Sequence, residues 1–168
     1  MIQKDKDGFL LQLQEHKLII YKICNSYCKN TSDRDDLAQE ITYQLWRSFH
    51  HFNGSVKFST WMYRVALNVA ITFYRKTKIS EAIIQLGEPD TEIEDNREDS
   101  SELEKNKDLL QQFINELKEL DKALMILYLE EKTYSEMSEI LGITETNVAT
   151  RISRIKDKLK QRFSIQNN

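Results

Sequence analysis

Apolar residues recur along this chain at steps of three and four, the spacing of helices with one buried face. Leu13, Lys17, Ile20, Cys24 and Tyr27 keep that step. Leu10, Ile19 and Ile23 widen the face, so Phe9 to Cys28 is predicted as one helix. Asn30, Thr31 and Ser32 interrupt the pattern, and Ser32 or Asp33 is placed to cap the next helix. Leu37, Ile41, Leu45 and Phe49 give that helix a stripe at i, i+4. His50 to Lys57 reads as a loop around Asn53 and Gly54. A third helix starts at Ser59 or Thr60 and turns Met62, Val65, Ala66, Val69 and Phe73 inward. It ends at Arg75, Lys76 and Lys78, cations that suit a helix C-terminus.

A second helical set follows. Leu103, Leu110, Phe113 and Leu117 mark its first helix, and Asp121 is predicted to cap a very apolar one from Ala123 to Leu129. Glu136 to Leu141 is a brief third helix, and Gly142 and Ile143 form a tight turn. Thr144 then caps a last helix that buries Val148, Ile152, Ile155 and Leu159. Between the two sets, residues 79–104 hold the chain's one proline, Pro89, in an acidic run. That composition buries too little apolar surface to offset its ordering entropy. The fold class is therefore all-α: two small helical domains, residues 1–78 and 105–168, joined by an acidic linker, 79–104, with a helix-turn-helix closing the second.

Composition sharpens this picture. Only 4 Gly and 1 Pro among 168 residues leave few helix breakers. No apolar run reaches the ~18 residues of a membrane span. Met1 to Gly8 mixes Lys and Asp without the apolar stretch of a secretory signal. With 2 cysteines in such a chain, a reducing, cytoplasmic setting is expected. The net charge of −3 conceals an asymmetry: residues 1–80 and 146–168 are basic, and 81–104 strongly acidic. Two basic surfaces flanking an acidic stretch suit a polyanion partner.

Tyr134 to Lys158 has the order of a helix-turn-helix, the unit that lays its second helix in the major groove. Gly142 allows the positive φ such a turn needs. Thr146, Asn147, Thr150, Arg151, Arg154 and Lys158 fall on the outer face of the last helix. Asn and Arg pair bidentately with adenine and guanine, and later cations hold phosphates. The same charges also suit a merely solvated face.

In the first domain, Phe58, Trp61, Arg64, Asn68, Tyr74 and Arg75 interleave rings with cations, the combination that stacks unpaired bases and holds their backbone. Trp61 suits either that role or the core. DRDDLAQEITYQLWR, and FSTWMYRVALN followed by YRK, resemble region two of bacterial sigma factors. YSEMSEILGITETNVATRISRIK resembles their region four. Two such domains with no middle one look like the extracytoplasmic-function class.

The resemblance implies a protein that binds bacterial core RNA polymerase and directs transcription from specific promoters. Asp36, Gln39, Glu40 and Trp46 would dock on the polymerase. Asn53, Lys57, Phe58, Trp61, Arg64, Asn68, Tyr74 and Arg75 would hold the melted minus-ten element. The Thr144–Lys158 helix would read the minus-thirty-five element, with Ala149 standing where many relatives carry a basic residue. The resemblance further implies promoter DNA and an anti-sigma factor as partners. It implies no cofactor, no metal and no catalysis. A stand-alone helix-turn-helix regulator is the alternative. Asp33, Asp36 and Glu40 share a helical face, but no Glu-x-x-His pair completes a carboxylate metal site. Cys24 and Cys28 lack a second ligand pair at zinc spacing and read as core. Glu92, Glu94, Asp95, Glu98 and Asp99 make the linker a candidate mimic of RNA.

Overall fold

Side-chain caps at Asn30, Ser101 and Thr133 set three of the helix starts in this chain. The structure is a computed structural model that describes residues 2–85 and 101–166. In these the elements are α1 (Ile2–Glu15), α2 (Lys17–Tyr27), α3 (Thr31–Ser48), a 3-10 turn (Phe49–His51), α4 (Phe58–Gln85), α5 (Glu102–Glu116), α6 (Glu119–Leu129), α7 (Tyr134–Leu141) and α8 (Glu145–Gln166). Among the described residues no helix is long and apolar enough to cross a membrane.

The expected single helix from Phe9 to Cys28 is divided at His16, whose backbone (φ −111°, ψ 14°) leaves helical space. The cause is tertiary. The His16 ring stacks on Phe58 at 5.6 Å, while Phe9 packs on Trp46 and Phe49 at 5.1 and 5.2 Å. The cap of α3 is Asn30 rather than Ser32 or Asp33. Its Oδ1 accepts the Asp33 N–H at 2.8 Å, and its Nδ2 donates to the Asp33 carboxylate at 2.7 Å. Helix α4 starts at Phe58 and continues through 79–85, expected as linker, while Ser101 caps α5 within the same stretch. Pro89 and the acidic residues Glu92, Glu94, Asp95, Glu98 and Asp99 lie outside the described residues.

The first half, α1–α4, buries Ile23, Leu37, Ile41, Leu45, Met62 and Leu67. The second, α5–α8, buries Phe113, Leu124, Leu127, Met137, Ile140, Val148, Ile152 and Ile155. Each such side chain contributes roughly 1.5–3 kcal/mol on removal from water. The buried face of α4 is rotated from the expected one. Met62 and Ala66 are buried, but Tyr63, Leu67 and Ala70 join them, while Val65, Val69 and Phe73 stay partly exposed. The rotation has a reason visible only in three dimensions. The two sets of buried residues belong to one continuous cluster, so α4 faces the second half as well as its own.

Candidate nucleic-acid and polymerase interfaces

The helix-turn-helix is assembled from local contacts. Thr133 caps α7 by accepting the Glu136 N–H at 3.1 Å. The Glu136 carboxylate returns the bond from the Thr133 N–H at 2.7 Å, and these bonds hold its pKa below the usual carboxylate range. Gly142 ends the helix at φ +67°, a conformation other residues adopt only with strain. Ser138 Oγ donates to the Ile143 carbonyl at 2.6 Å, closing the turn. Thr144 then accepts the Asn147 N–H at 3.1 Å. Val148, Ile152 and Ile155 seat α8 on α6 and α7. Thr146, Asn147, Thr150, Arg154 and Lys158 are left exposed on one side. Arg151 is engaged: it donates to Asp121 Oδ1 at 2.8 Å and to Asn147 Oδ1 at 3.1 Å. Asp121, expected as the α6 cap, is instead this anchor, and α6 starts at Glu119 with no side-chain cap.

The first half presents a ridge along α4. Trp61, Arg64, Asn68 and Arg75 stand at i, i+3, i+7 and i+14, one helical face. Phe58, one turn earlier, is buried. With Phe49, Phe52 and Trp61 it forms a ring cluster at centroid spacings of 5.2 to 6.4 Å, in which Trp61 remains partly exposed. Trp61 thus packs on one face and shows another. Asn53 and Lys57 are exposed in the preceding loop, where Asn53 Oδ1 accepts the Ser55 N–H at 2.9 Å and Gly54 takes φ +76°.

The four residues expected to meet the polymerase divide between two open grooves on either side of α3. Asp36 and Glu40 line one against α4, with Asn68, Phe73 and Lys76. Gln39 and Trp46 line the other against α1, with Phe9, Leu10, Leu13 and Tyr43. The wall of the second is almost wholly apolar. Tyr43 and Leu10, 57% and 48% exposed, were not anticipated. The signal for Tyr43 was present: Gln39, Tyr43 and Trp46 stand at i, i+4 and i+7.

A third arrangement lies where the halves meet. Arg75 Nε donates to Glu119 Oε1 at 2.8 Å, which holds that carboxyl below its usual range. Arg64 reaches the Glu139 carbonyl and carboxylate at 3.4 and 3.5 Å, and Lys22 pairs with Glu130. Tyr27 Oη donates to the Glu119 carbonyl at 2.7 Å. Lys122 is 2% exposed. Its ammonium lies 5.2 and 4.8 Å from the ring centres of Tyr27 and Tyr74 and donates to the Asn115 carbonyl at 3.3 Å. Burial, with Lys78 nearby, lowers its pKa to about 8. A cavity of about 240 Å³ opens beside it, lined by Cys28, Tyr74, Lys78 and Asn115 among others. The sequence offers one clue to this seam: Lys122 interrupts a helix whose next residues, Ala123 to Leu127, are all buried.

Cys24 and Cys28 are free and buried, and burial raises their thiols to about 12 and about 11. Such thiols stay protonated and inert at neutral pH. Asp33 is engaged with Asn30, as described.

Two sequence families match. Sigma-70 region 2 covers residues 13–79, and Sigma-70, region 4 covers residues 107–159. The chain is 29% identical to the ECF RNA polymerase sigma factor SigW of Bacillus subtilis, over 95% of this chain and 90% of the relative. It is 26% identical to the ECF RNA polymerase sigma-E factor of Haemophilus influenzae, over 96% and 90%. Among solved structures, CnrH in complex with the cytosolic domain of CnrY superposes with TM-score 0.66 at 16% identity, covering 95% of this chain and 90% of that one. The sigma factor RpoE in complex with the anti-sigma factor NepR, from Bartonella quintana, superposes at 0.65 with 18% identity, covering 95% and 96%. At these identities the superpositions establish shared fold.

Proposed function

Because the chain belongs to the sigma-70 family, in its extracytoplasmic-function class, and so directs transcription initiation, we propose a division of labour among its three surfaces. The two grooves of α3 dock core RNA polymerase through Asp36, Gln39, Glu40 and Trp46, with Tyr43 added to the apolar side. The α4 ridge and its loop hold the melted minus-ten strand through Asn53, Lys57, Trp61, Arg64, Asn68, Tyr74 and Arg75. Phe58 supports that surface from beneath as a packing residue. The exposed face of α8 reads the minus-thirty-five duplex through Thr146, Asn147, Thr150, Arg154 and Lys158, with Arg151 fixing Asn147 in place.

The observation that carries this reading is the exposed polar face of α8. It offers two hydroxyls and an amide near the helix N-terminus and two cations further along, the order in which base edges and phosphates are met. On the α4 side, flipping or unstacking a base costs a few kcal/mol, which stacking on a partly exposed ring can return. The polymerase would hold both readers at fixed separation and so raise the effective concentration of each for its element. The protein would work in the cytoplasm and leave all catalysis to the polymerase. An anti-sigma factor is the further partner proposed, by analogy with NepR bound to its sigma factor.

Run-off transcription tests the reading, with purified bacterial core polymerase and fragmented genomic DNA, with and without this protein. Discrete transcripts that require the protein are expected. A gel shift on the same DNA without polymerase, in the absence of such transcripts, would favour a stand-alone regulator.

A further inference from the structure

A chain of polar contacts runs from α6 to the open face of α8. The Asp121 carboxylate accepts from Arg151 Nη1 at 2.8 Å, and Nε of the same guanidinium donates to Asn147 Oδ1 at 3.1 Å. The contacts grade from shielded to open. The Asp121 side chain is 18% exposed and that of Arg151 36%, while Asn147, one turn earlier on α8, stands exposed.

Hydrogen-bond chemistry fixes which way the Asn147 amide points. A guanidinium has donors and no acceptor, so the amide atom that faces Arg151 is the oxygen. Turning the amide over would set its N–H groups against the Arg151 N–H and leave both donors without a partner. Arg151 is itself held on its far side by Asp121, so it does not swing to suit either arrangement. Among the described residues nothing accepts from Asn147 Nδ2, and its hydrogens are the free end of the chain.

Resting on the reading of α8 given above, we propose that Asn147 reads its base as a donor alone, at guanine O6 and N7, and that Asp121 is a positioning residue for that choice, acting through Arg151. The groove code makes the distinction sharp. Adenine shows one acceptor and one donor in the major groove, so its bidentate pairing with asparagine needs Oδ1 as well as Nδ2. Here Oδ1 is committed to Arg151. Guanine shows two acceptors side by side, thymine one acceptor beside a methyl group, and cytosine a donor. Guanine is the edge that best matches a bare amide N–H pair. The general preference of asparagine for adenine is thus reversed by a carboxylate on another helix. The same tether takes Arg151 out of direct contact with DNA: its charge is matched by Asp121, and its effect on the base passes through Asn147.

The test uses the full chain bound to core RNA polymerase. Duplexes are selected by binding from a randomised pool and sequenced. Asn147→Ala locates the position that residue 147 reads, as the one where preference flattens. The wild type should favour guanine there over adenine by roughly tenfold. Arg151→Met keeps an extended side chain, removes the donors and frees Oδ1, so the preference should move towards adenine. Asp121→Ala should weaken the guanine preference and release Arg151 to a phosphate, steepening the salt slope by about one. Asp121→Asn retains a carbonyl acceptor for Arg151 and should keep both the preference and the slope. Each substituted side chain is at least partly exposed, so these variants are expected to fold.

Any base other than guanine preferred by the wild type, or a guanine preference that Arg151→Met leaves unchanged, would overturn the donor-only reading. If Asp121→Ala weakened binding to all sequences alike, with base choice and salt slope intact, Asp121 would be a structural residue and not a positioning one. Preferences elsewhere in the upstream element that Asn147→Ala leaves untouched would overturn the inference and spare the reading of α8. A pool with no upstream preference in any form would overturn both.

Discussion

The faces of α8 and α4 are made of similar residues and held in opposite ways. Everything that positions α8 lies within about one turn of it or in its own half: the Thr144 cap, the Gly142 turn, the Ser138 bond, the seat of Val148 and Ile152. The two arginines of the α4 ridge are engaged instead by residues far along the chain, Glu119 and Glu139, and Tyr74 beside them meets Lys122. A locally built face stands clear and ready. A face completed by distant residues depends on how the two halves pack on each other.

That contrast can be broken most severely at the seat of α8. Ile152 is 1% exposed, and Ile152→Ala removes buried atoms from the α6–α8 core, at an expected cost of about 2–5 kcal/mol. Thermal unfolding should show the loss, and duplex binding should fall with it. Retained duplex affinity in a strongly destabilised variant would mean that α8 does not depend on its own half.

Lys122→Met probes the other side of the comparison. The folded-state pKa of Lys122 lies below its ordinary value, so its charge opposes folding most strongly below pH ~8. The penalty then fades as pH rises from about 8 towards 10.5. Charging this lysine at neutral pH costs on the order of 3 kcal/mol, offset in part by its two rings and the Asn115 carbonyl. Lys78, Cys28, Lys29 and Glu119 also face it and titrate in both proteins, so only the difference between the two proteins isolates Lys122. The methionine variant should be the more stable at pH 7, by an amount that shrinks as pH rises from about 8 towards 10.5. A constant difference across that range would show that the charge plays no part in the seam.

The mildest probe is Arg154→Ala. It should weaken duplex binding by about 1–3 kcal/mol if the contact is to a base, or lower the salt slope by about one if to a phosphate. Single-strand binding should be unaffected in either case. Equal losses on both kinds of DNA would erase the distinction between the faces.

The same contrast explains what the sequence reveals. Gly142, Thr144 and the inward stripe of Val148, Ile152 and Ile155 are readable because each acts on its neighbours. The cap at Thr133 was equally local, announced by Glu136 three residues on, and the Asn30 cap likewise stood beside the expected ones. The break at His16, the burial of Phe58 and the rotated face of α4 are not readable this way. Each is decided by a ring or helix that arrives from elsewhere in the fold. Arg151 is the clearest case: its spacing assigns it to the outer face, and Asp121, 30 residues earlier, draws it down. Of the α4 ridge, the residues were legible and their present partners were not.

The shielded thiols turn this arrangement into a clock. Cys28 lines the cavity between the halves and is 6% exposed, whereas Cys24 lies a turn deeper in α2. Any event that opened the cavity further beside Cys28 would relieve part of the burial that holds its thiol at about 11 and so make it more reactive. An alkylating reagent would then consume Cys28 at a rate set by that opening, with Cys24 as the silent reference. The ratio of alkyl adducts on Cys28 and Cys24, read by mass, would then record how often the cavity side is uncovered.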